Sequence, residues 1–163
     1  MTTLNTQATD QIIRHRNPVS ETEPWAREFA EVIEISSGVE QVVLSGVGPQ
    51  IADPEAQPDT FSAYGNTAVQ TLSVLRQIER ILNARGYSMG DIVLMQALLV
   101  AAPSGDGSAD FAGFSEVYNQ FFGTGEQPNV PARTRAQVVR LVPPGWLVEI
   151  TVTACRVPSR SAS

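Results

Sequence analysis

Apolar and polar positions alternate along the last strand-like stretch of the chain, from Trp146 to Arg156. One face carries Val148, Ile150, Val152 and Ala154, and the other carries Glu149, Thr151, Thr153 and Cys155. This alternation predicts a strand that buries its apolar face under helices and presents its polar face elsewhere. A Pro143-Pro144-Gly145 turn separates it from another strand-like run, 131–141, so we expect the two runs to form a hairpin.

Other strand-like segments come earlier in the chain. Residues 29–35 and 41–46 are rich in β-branched side chains, and Ser37-Gly38 between them has the chemistry of a turn. This arrangement predicts an antiparallel hairpin. Residues 91–100 form a longer apolar run, which predicts a strand that is buried on both faces.

Two helices separate these strands. Apolar residues recur at three- and four-residue spacing from about residue 66 to 85, where Gly86 ends the predicted helix. Asp110 can cap a second helix over 111–122. The order β-β-α-β-α-β-β predicts an α+β fold with a mixed sheet covered on one face by two helices.

The length of 163 residues suits a single domain with a substantial core. We expect this domain to span 29–157, preceded by a partly mobile N-terminal extension (1–28) and followed by a tail (158–163). Trp25 is expected to pack the extension onto the domain. Because the chain has neither a membrane-length apolar run nor a signal pattern, we expect a soluble cytoplasmic protein.

Composition argues against several kinds of chemistry. The formal net charge is −6 and the basic residues are all arginines, which argues against nucleic acid as a main partner. The absence of lysine from the sequence excludes Schiff-base lysine catalysis. One cysteine and one histidine cannot supply the usual zinc ligand sets, and no cluster of acidic residues suggests another metal.

Two charged residues mark the C-terminal hairpin as a candidate site. Arg133 precedes its turn and Glu149 follows it, so pairing of the two strands would bring both side chains to one cleft. A guanidinium offers a planar fork that suits a carboxylate, and a glutamate can move a proton or orient water. On spacing alone, a structural Arg–Glu pair at a strand edge is the better interpretation.

The residues around this hairpin resemble a known family. Pro131-Ala132-Arg133, the strand and proline turn after it, and Val148-Glu149-Ile150 are similar to the C-terminal signature of the Rid family, the YjgF-like reactive intermediate deaminases. Earlier segments resemble that family in the same order: Val42-Val43-Leu44-Ser45-Gly46, the helix of 70–86, Asp91-Ile92-Val93, and the aromatic helix with Phe111, Tyr118, Phe121 and Phe122. The resemblance covers about residues 29 to 157.

This resemblance implies a homotrimer with ligand clefts between subunits, and hydrolysis of 2-imino acids or enamines to 2-keto acids and ammonia without metal or cofactor. It implies that Arg133 binds the substrate carboxylate and that Glu149 orients or activates water. Ser45, Gly46 and backbone groups near Cys155 would line the cleft. No metal or cofactor is needed, since an iminium carbon is already electrophilic.

Three positions depart from the pattern of the best-studied members and indicate a divergent subgroup. Phe29 stands where they carry a tyrosine that helps close the site, Ser115 where they carry an asparagine, and Thr151 where a second glutamate often occurs. The carboxylate anchor and the candidate acid/base are retained, but their surroundings differ. We therefore expect a different substrate or a slow reaction.

Two other functions remain open from the sequence. The chain could form a trimer that binds a small carboxylate without catalysis, or an interaction protein that uses the cleft. A chorismate-mutase-like activity is a further alternative because the fold is similar, although the arginine set of those enzymes is not evident.

Overall fold

The computed structural model describes residues 11–103 and 105–158. The strands and α-helices in chain order are β1 (Ile12–Arg16), β2 (Ala30–Ile35), β3 (Glu40–Val43), α1 (Phe61–Tyr64), α2 (Thr67–Asn83), β4 (Ile92–Leu99), α3 (Phe111–Tyr118), β5 (Ala132–Gln137) and β6 (Val148–Arg156). Three 3-10 helices cover Pro18–Glu21, Pro24–Glu28 and Met89–Asp91. The expected α+β fold, a single domain with a mixed sheet and helices on one face, is confirmed.

The main sheet has four strands in the order β3-β6-β4-β5. Strand β6 is antiparallel to both β3 and β4, whereas β5 runs parallel to β4. Met95 of β4 lies opposite Val152 of β6 and Arg133 of β5, so these three side chains share the face that the helices cover. Leu98 of β4 lies opposite Glu149 of β6, and both side chains point to the other, open face.

Helix α2 covers the centre of the sheet. Its first turn is capped by Asn66, whose side chain accepts a hydrogen bond of 3.0 Å from the Val69 amide. Of the apolar stripe expected from the sequence, Leu75, Ile78 and Leu82 are fully buried against the sheet, as is Val74, whereas Val69 and Leu72 at its start are exposed. The chain turns away at Gly86, whose φ of 75° suits glycine. Among the described residues, no helix is both long and apolar enough to cross a membrane.

A buried glutamine connects α2 to the turn before β6. The Gln70 amide donates to the carbonyl oxygens of Gly65 and Gly145 at 2.9 and 3.0 Å. Its side-chain oxygen accepts a 2.6 Å hydrogen bond from the Leu147 amide. Because each of these bonds is buried or half-buried, they fix where β6 enters the sheet.

Helix α3 begins as expected and ends earlier than expected. Asp110 caps it by accepting a 2.8 Å hydrogen bond from the Gly113 amide. The helix stops at Tyr118 rather than at residue 122, and the chain continues in turns. The aromatic rings of Phe114, Tyr118 and Phe122 stack in sequence, with centroids 5.8 and 4.6 Å apart. These rings form core and also one wall of the site described below.

Both hairpins expected from the sequence are wrong. Strand β2 pairs with β1 in a separate two-stranded sheet, whereas β3 pairs with β6. Strands β5 and β6 are not neighbours, because β4 lies between them and pairs with both. Turn residues such as Pro143-Pro144-Gly145 reverse the chain, but they do not prevent another strand from entering between the two that they connect.

The open face of the sheet is only partly polar. The expectation that β4 is buried on both faces is wrong, because Leu94 is 52% exposed and Gln96 also points to solvent. Val43 is another exposed apolar side chain of this sheet. The sequence pattern could not separate a strand covered on one face from one covered on both, since apolar residues occupy both sets of positions.

Part of the expected N-terminal extension belongs to the folded unit. Strand β1 pairs with β2, and Arg14 donates from Nη2 to the carbonyl oxygens of Gly90 and Ile92 at 3.0 and 3.3 Å. Trp25 does not pack the segment onto the domain, since it is 56% exposed, and the neighbouring Ala26 is buried instead. Mobility was expected for the first dozen residues, of which 1–10 lie outside the described residues, as does most of the expected tail, 158–163.

Candidate functional site

Arg133 is the most buried charged side chain of the candidate site. Its position on β5 directs it beneath α3, where the side chain is 3% exposed. Nη2 donates a 2.8 Å hydrogen bond to Oε2 of Glu28, and the guanidinium carbon lies 4.4 Å from the centre of the Tyr118 ring. A buried guanidinium is stable only with a paired anion or aromatic faces around it, and Arg133 has both.

Glu28 lies at the end of the 3-10 helix Pro24–Glu28 and is held from several directions. Its carboxylate accepts hydrogen bonds from Ser115 Oγ at 2.9 Å and from Asn119 Nδ2 at 3.3 Å. Its backbone oxygen accepts a 2.7 Å hydrogen bond from the Tyr118 hydroxyl. These contacts fix the carboxylate against the end of Arg133.

Arg135 is a second guanidinium on the same face of β5. Nη1 donates to Ser115 Oγ at 2.7 Å and to the Phe111 carbonyl oxygen at 3.2 Å, and it lies 3.9 Å from Glu28 Oε2. The side chain stacks over the Phe111 ring at 4.9 Å and is 27% exposed. We refer to Glu28, Ser115, Arg133 and Arg135 together as the arginine–carboxylate cluster.

Burial and neighbouring charges shift the pKa values of the ionisable groups in and around this cluster. Burial alone would raise the pKa of Glu28, but the hydrogen bonds from Arg133 and Ser115 and the charge of Arg133 outweigh it, so the pKa lies below its ordinary value. Burial, followed by the charge of Arg133, lowers the pKa of Arg135. Burial strongly raises the pKa of Tyr118, so its hydroxyl remains a neutral donor.

One donor of the cluster is left without a partner. Arg133 Nη1 is buried and has no hydrogen-bond acceptor within residues 11–103 and 105–158. Beside Glu28 lies a cavity of about 250 Å³, lined by Arg16, Pro24, Arg27, Glu28, Asn119, Phe122 and Gly123. A buried donor of a charged group that lacks an acceptor is costly, so Arg133 Nη1 is the uncompensated polar atom of the cluster.

Glu149 lies on the open face of the sheet, beside the Ser45-Gly46 segment. The chain of β3 bulges there, because Val43 is opposite Thr153 whereas Val47 is opposite Ile150. The Glu149 side chain lies over Gly46, where an added Cβ atom would come within 2.5 Å of Oε1. Glycine therefore permits the observed position of this carboxylate. Ser45 is exposed next to it.

Within one chain, the expected meeting of Arg133 and Glu149 does not occur. The two residues are on opposite faces of the sheet, and β4 separates their strands, which places their backbones at least about 10 Å apart. Neither a shared cleft nor a structural Arg133–Glu149 pair forms in the chain. The ionic partner of Arg133 is Glu28.

The other sequence-predicted residues divide between the two faces. Phe29 and Ser115 lie with Arg133, since the Phe29 ring centre is 5.8 Å from its guanidinium carbon. Cys155 belongs to neither group, because it is buried beside Gln41 and close to Arg14. Burial raises the pKa of the Cys155 thiol, so it remains largely protonated at neutral pH.

Sequence reasoning missed Glu28 and Arg135. Arg135 could have been found, because residues two apart on a strand share a face and Arg133 was already a candidate. Glu28 gave no comparable signal, since 105 residues separate it from Arg133 and its segment has no periodicity. In the part of the chain that the structure describes, no cluster of His, Cys, Asp or Glu side chains could hold a metal ion.

Comparison with known proteins places these features in context. Residues 24–156 match the family model described as Endoribonuclease L-PSP. A RutC family protein of Saccharolobus solfataricus is 36% identical over 98 residues, which cover 60% of this chain and 69% of the relative. This match supports a relationship in sequence as well as in fold.

Solved structures show the same architecture. A member of the YjgF protein family from Neisseria meningitidis is 25% identical, with a TM-score of 0.54, over 91% of this chain and 97% of the other. A member of the Rid protein family from Yersinia pestis has a TM-score of 0.63 at 22% identity, over 90% and 99% of the two chains. The second likeness concerns the fold alone.

Proposed function

This chain belongs to the Endoribonuclease L-PSP family, the Rid-like YjgF/RutC proteins, and from that premise we propose that it hydrolyses 2-imino acids or their enamine tautomers to 2-keto acids and ammonia. The observation that carries the proposal is the buried Arg133 guanidinium. It holds one carboxylate at 2.8 Å on Nη2, while Nη1 has no acceptor among the described residues. A substrate carboxylate is the group that would satisfy that donor.

The reaction needs neither an oxidant nor a reductant. Water adds to the imine carbon, so that a C–O bond forms and the C=N π electrons move to nitrogen, which takes up a proton. The amine nitrogen of this carbinolamine takes up a second proton, the C–N bond breaks with its electron pair leaving on ammonia, and the hydroxyl oxygen loses its proton and forms the ketone. Arg133 would hold the carboxylate so that the imine carbon is positioned for attack, and Glu149 would accept the proton of the attacking water.

Glu149 can take this role only beside a second copy of the chain. In one chain it lies on the opposite face of the sheet from Arg133. We propose a homotrimer in which the open face of one subunit, with its Glu149, packs beside the Arg133 site of the next, so that each ligand cleft lies between two subunits. The exposed apolar side chains of that face, Val43 and Leu94, support this assembly because contact between copies would remove them from water.

The anchor is tested by replacing Arg133 with lysine. An ammonium cannot offer two parallel donors to carboxylates, so Arg133→Lys should weaken 2-ketobutyrate binding by about 1.5–3 kcal/mol in titration calorimetry. Arg76→Lys is the matched control, since Arg76 also stacks on a phenylalanine but lines a different cavity, with Glu79 and Met89. An unchanged dissociation constant in Arg133→Lys would remove the anchor from the proposal.

Catalysis is tested with a pyridoxal-phosphate enzyme that generates 2-aminoacrylate. The protein should accelerate release of pyruvate and ammonia above the spontaneous rate, in proportion to its concentration. Light scattering should give about three times the chain mass of 17.6 kDa, and Leu94→Glu should reduce both the mass and the rate. A fully active monomer would contradict the role of the second copy.

A second candidate function is a carboxylate-binding protein without catalysis. It is favoured by one observation, the separation of Glu149 from Arg133 within the chain. This alternative predicts binding of 2-ketobutyrate with no acceleration of imine hydrolysis at any protein concentration. The 2-aminoacrylate experiment therefore separates the two functions.

We do not propose RNA cleavage, although the family's description names an endoribonuclease. The chain has eleven arginines, no lysine and a formal net charge of −6. Binding to a phosphate backbone depends mainly on accumulated positive charge. Several of its arginines are also used internally, as Arg133 and Arg135 are in the cluster.

A further inference from the structure

We propose that Arg135 is a second carboxylate anchor, so that a ligand carboxylate is held between the guanidiniums of Arg133 and Arg135 while Glu28 stays in place. The inference rests on the proposed carboxylate site and adds to it a residue that the resemblance to the Rid family did not indicate. It does not depend on turnover.

The first support is the charge of the cluster. Among the described residues, Glu28 is the acidic partner of both arginines, at 2.8 Å from Arg133 and 3.9 Å from Arg135. One carboxylate between two guanidiniums leaves one positive charge without compensation. A single ligand carboxylate would neutralise it, and in a half-buried site that compensation is stronger than in water.

The second support is the position of the two guanidiniums. Arg133 and Arg135 are two residues apart on β5, so their side chains leave the same face about 6.6 Å apart. Both guanidinium carbons lie 5.7 Å from the Phe114 ring centre, on the same aromatic wall. Oε2 of Glu28 lies 2.8 Å from Arg133 and 3.9 Å from Arg135, so a single carboxylate can contact both guanidiniums.

The third support is the set of donors that protein groups do not use. Within the described ranges, Arg133 Nη1 is buried without an acceptor. The hydrogen bonds of Arg135 all leave from Nη1, to Phe111 and Ser115, so its other guanidinium nitrogens have no partner in the same ranges. Arg135 is also the more accessible of the pair, at 27% exposed against 3% for Arg133. An incoming ligand would meet Arg135 first.

The surroundings indicate the class of ligand. Phe111 and Phe114 stack against Arg135, and Phe29 adds a third ring near Arg133. Aromatic walls around an uncompensated positive charge favour a carboxylate that carries a small apolar group. Imino and keto monocarboxylic acids with short alkyl groups fit this description.

The inference is tested by titration calorimetry with 2-ketobutyrate and benzoate on the full chain. Arg135→Gln should weaken both ligands by about 10- to 100-fold, the range for a lost charged hydrogen bond. Arg76→Gln is the matched control and should remain within about twofold of the wild type, because Arg76 also stacks on a phenylalanine at 5.2 Å but is remote from the cluster. Benzamide, which lacks the charge, should bind weakly to wild type and Arg135→Gln alike.

Arg135→Lys provides a second variant if the glutamine variant fails to fold. It keeps the charge but offers one point of contact, so we expect an intermediate loss of about 3- to 10-fold. Wild-type affinity in either folded variant would overturn the inference, as would the absence of benzoate and 2-ketobutyrate binding to the wild type.

The outcomes separate this inference from the proposed function. Hydrolysis of 2-aminoacrylate together with unchanged benzoate affinity in Arg135→Gln would sink the second anchor and leave the function standing. Loss of benzoate affinity in Arg135→Gln without hydrolysis by the wild type would sink the function and leave the anchor standing.

Discussion

Glu28 and Glu149 are carboxylates beside the same sheet, but they lie on opposite faces and in different surroundings. Glu28 accepts hydrogen bonds from Arg133, Ser115 and Asn119 beneath α3. Glu149 lies over Gly46 on the open face, and within the described residues it makes no ion pair. The first carboxylate is committed to holding arginines, whereas the second remains available for a proton or a partner subunit.

The difference follows from what covers each face. Aromatic rings of α3 surround Arg133 and Glu28, so charges there must be paired to be stable. The open face lacks a helix, and Glu149 can remain solvated without a partner. A carboxylate that is not needed for folding is the better candidate for proton transfer, and the following predictions test that contrast.

The largest effect is expected from breaking the pair beneath α3. Glu28→Ala leaves Arg133 buried and unpaired, and should lower the free energy of unfolding by about 3–5 kcal/mol in urea denaturation. Glu79→Ala, which removes an exposed partner of Arg76, should cost less than about 1 kcal/mol. The double variant Glu28→Leu with Arg133→Met should recover much of the loss, because the unpaired charge is gone. Equal losses in Glu28→Ala and Glu79→Ala would mean that the buried pair does not stabilise the fold.

A smaller effect is expected from replacing Glu149 on the open face. This change should lower the rate of imine hydrolysis and leave the stability of the fold unchanged. Glu149→Gln keeps the size of the side chain but cannot accept a proton at neutral pH, so imine hydrolysis should fall about 100-fold. Its melting temperature and 2-ketobutyrate affinity should match the wild type. Full hydrolysis in this variant would exclude Glu149 from the reaction, and a collapsed melting temperature would make it structural.

The stability that Glu28 supplies should depend on pH. The pKa of Glu28 lies below its ordinary value of 4.5, so the stability from its ionised form is complete above that pH and is lost as the pH falls through the folded-state pKa. The difference in unfolding free energy between wild type and Glu28→Gln should therefore be constant from pH 7 to about 5 and shrink below about 4. A difference that grows on acidification would contradict the depressed pKa of Glu28.

The smallest effect is expected at Gly46. A Cβ atom there would come within 2.5 Å of Glu149 Oε1, but the end of a flexible side chain can move away. Gly46→Ala should lower the free energy of unfolding by no more than about 1 kcal/mol. It should lower the rate of imine hydrolysis in the wild-type background, which retains Glu149, but not in Glu149→Gln. A double variant with Glu149→Gln tests this, because an additional rate loss from Gly46→Ala in that background would refute the coupling.

Sequence patterns predicted the positions of helices and strands better than they predicted which strands pair with each other. Helix α2, strand β4 and the cap at Asp110 follow from local spacing and side-chain chemistry, which one segment contains by itself. The pairing of β2 with β1 and of β6 with β4 depends on contacts between distant segments. Turn residues alone could not show these contacts, and so both expected hairpins were wrong.

The candidate site shows the same limit. Arg133 and Glu149 were identified by their residue types and by resemblance to a family, but their separation followed from the wrong hairpin. The prediction paired β5 directly with β6, whereas β4 lies between them. Arg133 and Glu149 were therefore expected in one cleft, but they lie on opposite faces of the sheet. Their functional roles remain predictions that the experiments above address.

The pairing of β1 with β2 has a consequence for dividing this protein into parts. The family match starts at residue 24, but β1 spans Ile12–Arg16 and supplies the hydrogen bonds of one side of β2. A recombinant fragment cut at the edge of the homologous region would expose that side as a template for other chains, a common origin of aggregation. A synthetic peptide carrying the β1 sequence could restore the edge in trans, as donor strands do in other assemblies. The region that the family model matches and the unit that a laboratory should express therefore have different starting points.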